Sequence, residues 1–136
     1  MLDPARLRHA YDLRGRVGLD LVPDDFRRLG RAIARRLRAE DGRSLVVGHD
    51  GRLSSPELAQ ELVAGVLAGG VDVLDIGLAP SPLAYFAERH LGAGGAAIVT
   101  ASHNPADWNG LKLVLGGAVV FGEQLAELVE DALRDH

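Results

Sequence analysis

The sequence predicts an α/β fold: a three-layer α/β/α sandwich around a mixed, mostly parallel four-stranded sheet whose last strand is antiparallel. Two observations lead to this fold class. Short apolar segments alternate with longer amphipathic ones, which is the order expected of βαβ units with right-handed crossovers. The final apolar segment follows the previous one too closely for a helical crossover, so we expect the two to pair antiparallel.

The first half of the chain predicts helix, strand and helix in that order. Residues 23–40 form an amphipathic helix because its apolar side chains recur every three or four residues: Phe26, Leu29, Ile33 and Leu37. Residues 44–48 are short and apolar throughout, as expected of a parallel strand covered on both faces. A serine cap followed by Pro56 opens a second helix that extends to about Ala68.

The second half predicts three more strands and two more helices. Residues 71–76 alternate apolar with acidic side chains and indicate a half-exposed or edge strand. A helix over residues 82–90 precedes a buried strand over residues 96–99. Residues 111–115 form the antiparallel strand, and residues 123–133 form the closing helix.

Length and composition favour one domain over residues 1–136. A chain of 136 residues that is 47% hydrophobic is long enough to bury one core. The formal net charge of -4 argues against nucleic acid as a partner. Because the sequence has no cysteine and no apolar run near the roughly 20 residues of a membrane span, we expect a cytoplasmic protein without membrane contact.

The chemistry is concentrated in residues 100–105, Thr-Ala-Ser-His-Asn-Pro, which follow a buried strand. Open α/β sheets place their ligand sites at this end of a strand. A serine that relays a phosphoryl group needs donors and cations for the phosphate oxygens, and His103, Asn104 and Lys112 lie close enough in sequence to supply them around Ser102. The alternative is a polar hairpin loop, since serine, asparagine and proline are ordinary turn residues.

Three motifs carry a resemblance to a known family. Residues 100–105, with Asn-Gly-Leu-Lys at 109–112, resemble the active-site signature of the α-D-phosphohexomutases. Residues 11–18 are similar to the family's N-terminal motif, and residues 46–55 are similar to its first strand and loop. The form of residues 11–15 and the threonine at position 100 point to the phosphomannomutase/phosphoglucomutase type. The resemblance implies the N-terminal, phosphoserine-bearing domain of a four-domain mutase.

The same resemblance implies an isomerase that moves a phosphoryl group between C1 and C6 of a hexose phosphate, mannose or glucose. Ser102 would be the phosphoserine, hexose 1,6-bisphosphate the intermediate and activator, and a Mg²⁺ ion would bind the Ser102 phosphate, with its other ligands in a later domain. Catalysis of this kind depends on positioning and charge neutralisation.

The remaining site residues also follow from the resemblance. Lys112 would lie beside the transferred group, His103 and Asn104 would orient it or assist proton transfer, and Tyr11 and Arg14 would border the same cleft. The general acid and base stay open between Lys112 and His103. Without the remaining mutase domains we expect the isolated chain to be a poor or inactive mutase, and we expect its uncovered surface to self-associate.

Two interpretations remain open at this point. Asp50 and Arg52 either form an ion pair that fixes the loop before the second helix or take part in catalysis. His49 stands where the family commonly has arginine, so no role is assigned to it. The whole chain would alternatively be a stand-alone phosphate-binding or regulatory module without catalytic activity.

Overall fold

One mixed sheet organises the computed structural model, which describes residues 2–135. Its strands are β1 (Leu13–Arg16), β2 (Ser44–His49), β3 (Asp72–Leu78), β4 (Gly95–Val99), β5 (Trp108–Leu115) and β6 (Ala118–Val119). Their order is β1-β5-β4-β2-β3, with β6 also paired to β5. The strands β2, β3 and β4 are parallel, and β5 is antiparallel to β4, as predicted.

Helices cover both faces of the sheet and confirm the predicted α/β/α sandwich. They are α1 (Pro23–Ala39), α2 (Ser55–Ala68), α3 (Ser81–His90) and α4 (Gly122–Leu133), preceded by a short 3₁₀ helix (Pro4–Leu7). The larger core joins one face of the sheet to α1, α2 and α4, and the smaller core joins the other face to α3. Among residues 2–135, no helix combines the length and hydropathy that crossing a membrane requires.

The prediction of four strands was wrong, because the structure adds β1 and β6. In β1 only Leu13 and Gly15 are buried, so its four residues lack the apolar content that marks a strand. In β6 only two exposed residues pair with β5, after a turn in which Gly116 and Gly117 have φ of 59° and 80°. That Gly-Gly pair is a recognisable hairpin signal.

The predicted edge strand is confirmed. The strand β3 pairs only with β2 and ends the sheet, and its side chains are exposed or half-buried along its whole length. Several other large apolar side chains are also exposed in the described chain, among them Tyr11, Leu53, Leu78, Phe86 and Phe121.

Two glycines let α1 and α2 approach to backbone contact. A Cβ on Gly65 would overlap the carbonyl oxygen of Arg27, and a Cβ on Gly30 would overlap that of Leu62. The two helices therefore pack more closely here than any larger residue would allow. This close packing places α2 and the loop before it against the sheet.

We expect Gly65→Ala to lower the free energy of unfolding by about 1–3 kcal/mol, because overpacking outweighs the better helix propensity of alanine. Urea denaturation measures the change. Gly51→Ala is the matched control, since a Cβ there has no neighbour nearer than 4.0 Å. Unchanged stability in Gly65→Ala would mean that the helices separate at no cost.

Candidate active site

The candidate site lies on one edge of the sheet, where β2 and β4 end side by side. We call residues 100–107, between β4 and β5, the serine loop. The N–H of Asp50 donates to the carbonyl of Val99 at 3.0 Å, and the N–H of Thr100 donates to the carbonyl of Gly110 at 3.1 Å. Both strand ends and the start of β5 are thus joined by backbone hydrogen bonds directly beneath the serine loop.

Ser102 has an unusual backbone conformation. Its φ is 54°, in the left-handed region that residues other than glycine seldom occupy. Its N–H donates to the Thr100 hydroxyl at 3.0 Å, and its carbonyl accepts from the Arg52 guanidinium at 2.8 Å. Both backbone polar groups of Ser102 are therefore fixed by side chains.

The Asp50 carboxylate joins three parts of the site. It accepts hydrogen bonds from the hydroxyls of Ser55 and Thr100, and from both the N–H and the side chain of Arg52. Burial of the carboxyl opposes its ionisation. The hydrogen bonds and the Arg52 charge outweigh burial, and they hold the pKa of Asp50 below its ordinary value of 3.8.

Asp50 and Arg52 form the ion pair that the sequence left as one of two interpretations, with Arg52 Nε 3.2 Å from Asp50 Oδ2. The Arg52 side chain is 13% exposed. Its guanidinium also contacts backbone carbonyls of the serine loop, which lies about 50 positions further along the chain. Sequence reasoning missed these contacts, because nothing local to Arg52 indicates them.

Ser54 is the N-cap residue of α2, as predicted, but its side chain makes no capping hydrogen bond. The hydroxyls of Ser54 and Ser55 instead accept hydrogen bonds from the side-chain amide of Asn109, at 2.8 and 3.0 Å. Asn109 is fully buried, and the oxygen of its side-chain amide accepts a hydrogen bond from the N–H of Gly110. The start of β5 is therefore tied to the start of α2.

The strand β1 brings Arg14 to the serine loop. Arg14 pairs in register with Gly110, and its Nη1 donates to the side-chain oxygen of Asn104 at 2.9 Å. Asp12 accepts from the same guanidinium at 2.9 and 3.1 Å, and sequence reasoning missed this role. A carboxylate two positions before an arginine on the same strand face was the available signal.

Gly110 permits this arrangement. A Cβ at this position would overlap the carbonyl oxygen of Leu13, so only glycine lets β1 lie against β5 at this point.

Lys112 and His103 occupy different depths. Lys112 is half-buried and lies opposite Ile98 in the β4–β5 register, so it shares the face covered by α3. His103 is exposed on the serine loop.

Burial and the nearby Asp12 charge raise the pKa of Tyr85 on α3, so its hydroxyl stays protonated at neutral pH. Sequence reasoning did not single out Tyr85.

Tyr11 has a largely exposed side chain. Its ring stacks on Phe121, with centroids 5.8 Å apart, and lines a surface pocket with Arg8, His9 and Glu123. Within residues 2–135, no recorded hydrogen bond or ring contact joins Tyr11 to the serine loop.

The site's own carboxylate is a poor metal ligand. Both oxygens of Asp50 already accept two hydrogen bonds each. Residues 2–135 contain no group of three or more histidine, aspartate or glutamate side chains arranged to hold a metal ion.

We expect Asp50→Asn to lower the free energy of unfolding at pH 7 by about 1–3 kcal/mol, because a half-buried charged acceptor of four hydrogen bonds is lost. The folded-state pKa of Asp50 is depressed, so its ionised form stabilises the fold above the unfolded-state pKa. The difference from wild type should therefore shrink as the pH falls below about 4. Urea denaturation at several pH values tests this, with the exposed Asp107→Asn as control. A difference that grows in acid would contradict it.

Comparisons of sequence and of structure both relate the chain to the same family of proteins. Residues 5–136 match the family model described as phosphoglucomutase/phosphomannomutase, alpha/beta/alpha domain I. A phosphomannomutase/phosphoglucomutase of Pseudomonas aeruginosa is 40% identical over 127 residues, which are 93% of this chain and 27% of that protein. The phosphohexose mutases of Xanthomonas campestris pv. campestris are 51% identical over 105 residues, 77% of this chain and 23% of theirs.

A solved structure shows the same fold. The crystal structure of a phosphoglucomutase/phosphomannomutase family protein from Burkholderia thailandensis superimposes with a TM-score of 0.89 at 41% identity, over 98% of this chain and 31% of that one. The chain thus spans about a quarter of the length of the curated relatives that it matches. From the sheet order, the serine loop and these matches, the chain belongs to the phosphoglucomutase/phosphomannomutase family and corresponds to its α/β/α domain I.

Proposed function

We propose that this chain is the phosphoserine domain of a phosphoglucomutase/phosphomannomutase that acts on a hexose phosphate. The observation that carries the proposal is Ser102: it sits at the carboxyl end of β4, in a left-handed conformation fixed by two side chains, in a chain of this family. Strained residues in well-determined surroundings are typical of functional positions.

The proposed chemistry is a phosphoryl exchange. The bond between phosphorus and the Ser102 oxygen breaks as a bond from phosphorus to a sugar hydroxyl oxygen forms; that hydroxyl loses its proton and the Ser102 oxygen gains one. The hexose 1,6-bisphosphate so formed then returns its other phosphoryl group to Ser102, whose hydroxyl loses its proton while the sugar oxygen left behind gains one. Each half needs cations near the phosphoryl oxygens and a group that moves one proton.

Arg14 and Asn104 suit the binding part of this chemistry. Arg14 is held by Asp12 and Asn104 at the edge of the serine loop, and its side chain is 37% exposed. It therefore remains accessible to an anion while its orientation is fixed. His103, exposed on the same loop, is positioned to orient the substrate or assist proton transfer. Tyr11, exposed and stacked on Phe121, would border the same cleft as Arg14.

Lys112 suits proton transfer. It is the only lysine among 15 basic residues, the other 14 being arginine. An arginine stays protonated in proteins, whereas a lysine amine can take part in proton transfer. Within residues 2–135, none of the ion pairs involves Lys112. Lys112 and His103 are therefore the two candidates for the group that moves the proton.

Mg²⁺ would bind the phosphoryl group of Ser102 and neutralise charge as it transfers. Within residues 2–135, no group of three or more histidine, aspartate or glutamate side chains is arranged to hold a metal ion, so we expect further ligands from another part of the protein, in line with the greater length of the relatives. The partners are then the remaining mutase domains. We expect the isolated chain to be inactive and to self-associate through apolar surface that those domains would cover.

We expect Ser102→Ala, in the natural protein that contains this chain, to abolish phosphoryl incorporation from labelled hexose 1,6-bisphosphate, because the acceptor oxygen is removed. Peptide mass mapping and the retained label measure this. Ser81→Ala on α3 is the control and should incorporate like wild type. Wild-type incorporation in Ser102→Ala would contradict the proposal, and binding of the sugar phosphate without any incorporation in wild type would favour the stand-alone phosphate-binding module.

We expect Lys112→Met to reduce kcat by at least about 100-fold with the fold intact, as for loss of a positioned general base. Lys112→Arg is the matched variant: it keeps the charge but cannot give up its proton, so we expect a similar loss. Steady-state kinetics with circular dichroism test both. Wild-type turnover in Lys112→Arg would show that the lysine supplies charge alone.

A further inference from the structure

Every hydrogen-bond donor of the Arg52 side chain is bound to an acceptor within the protein. A guanidinium carries five N–H groups. Nε donates to Asp50, Nη1 donates to the carbonyls of Pro105 and Trp108 at 2.6 and 3.2 Å, and Nη2 donates to the carbonyls of Ser102 and Asn104, both at 2.8 Å. Five donors meet five acceptors, and none remains for a ligand.

Four of those acceptors belong to the stretch that begins at Ser102. Within the serine loop the backbone supplies only short turns, in which Asn104 N–H bonds the carbonyl of Ala101 and Trp108 N–H bonds that of Pro105. The Pro105 carbonyl therefore has a backbone donor as well as Arg52, whereas the carbonyls of Ser102 and Asn104 accept from the Arg52 side chain. Arg52 thus supplies donors that these turns do not, and it binds four carbonyls at once.

The same ion pair fixes both sides of Ser102. Arg52 holds the Ser102 carbonyl, and its partner Asp50 accepts from the Thr100 hydroxyl, which in turn accepts from the Ser102 N–H. A left-handed conformation at a residue other than glycine costs about 1–2 kcal/mol. The Asp50–Arg52 pair is positioned to offset that cost and so to determine where the serine oxygen lies.

We propose that Arg52 is a positioning residue for phosphoryl transfer at Ser102: it fixes the serine loop and does not bind substrate phosphate. The inference rests on the proposed function of Ser102. The inference assigns different roles to Arg52 and Arg14, since Arg14 is the more exposed of the two arginines at the loop. A phosphate-binding arginine would affect mainly KM, whereas a positioning arginine affects kcat, since a displacement of about 1 Å costs about 100-fold in rate.

The first test is kinetic and uses Arg52→Lys in the natural protein that contains this chain. Lysine keeps the charge and much of the aliphatic stem but cannot reach four carbonyls and a carboxylate at once. We expect kcat, and the single-turnover rate of phosphoryl transfer from hexose 1,6-bisphosphate, to fall about 100-fold with KM within about threefold of wild type. Arg27→Lys is the matched control, because Arg27 pairs with Glu61 between α1 and α2, and we expect wild-type rates for it.

The second test needs no turnover. Hydrogen exchange at the amides of Asn104 and Trp108, without ligand, should accelerate at least about 10-fold in Arg52→Lys and remain unchanged in Arg27→Lys, because only the former loosens the serine loop. If the wild-type protein takes up no phosphoryl group, the proposed function fails by itself, and this comparison still decides whether Arg52 holds the loop.

A kcat within threefold of wild type in Arg52→Lys would overturn the inference. So would a raised KM at unchanged kcat, which would make Arg52 a substrate ligand. Should Arg52→Lys fail to fold by circular dichroism, Arg52→Gln replaces it, since the amide keeps two donors. Loss of the fold in both variants would make Arg52 a folding residue and not a positioning one.

Discussion

The ion pair between Asp50 and Arg52 is the interaction on which the rest of the site depends. Its two members are only two positions apart, yet their hydrogen bonds reach Ser55 on α2, Thr100 after β4 and four carbonyls from Ser102 to Trp108. Because most of the Arg52 side chain is shielded from water, the neighbouring Asp50 carboxylate stabilises its charge. On the proposed function, the serine loop is thus held by charges that do not take part in phosphoryl transfer.

The sheet explains why a pair on one loop can organise another. The strands β2 and β4 are parallel neighbours, so both end at the same edge and bring Asp50 beside Thr100. The antiparallel β5 returns from that edge and places Asn109 against the two serines at the start of α2. On the far side of β5, β1 delivers Arg14. Each contributor to the site is a consequence of strand order.

Much of this was readable from the sequence. Apolar periodicity gave the helices and the four main strands within one to three residues, and the short distance between β4 and β5 gave the antiparallel pairing. The contacts that could not be predicted are long-range. The carbonyls that accept from Arg52 lie some 50 positions from it in the sequence. The serine hydroxyls at the start of α2 accept hydrogen bonds from the side chain of Asn109. Backbone acceptors leave no trace in the sequence, so the extent of the Arg52 contacts emerges only from the folded chain.

Ser102 has a left-handed backbone, for which glycine is the more stable residue, whereas the proposed function requires a hydroxyl. A glycine would adopt this conformation without steric penalty and would keep the N–H and carbonyl that the neighbouring side chains bind. It would carry no hydroxyl. On the proposed function, serine at position 102 supplies the reacting oxygen in a conformation that glycine would adopt more readily.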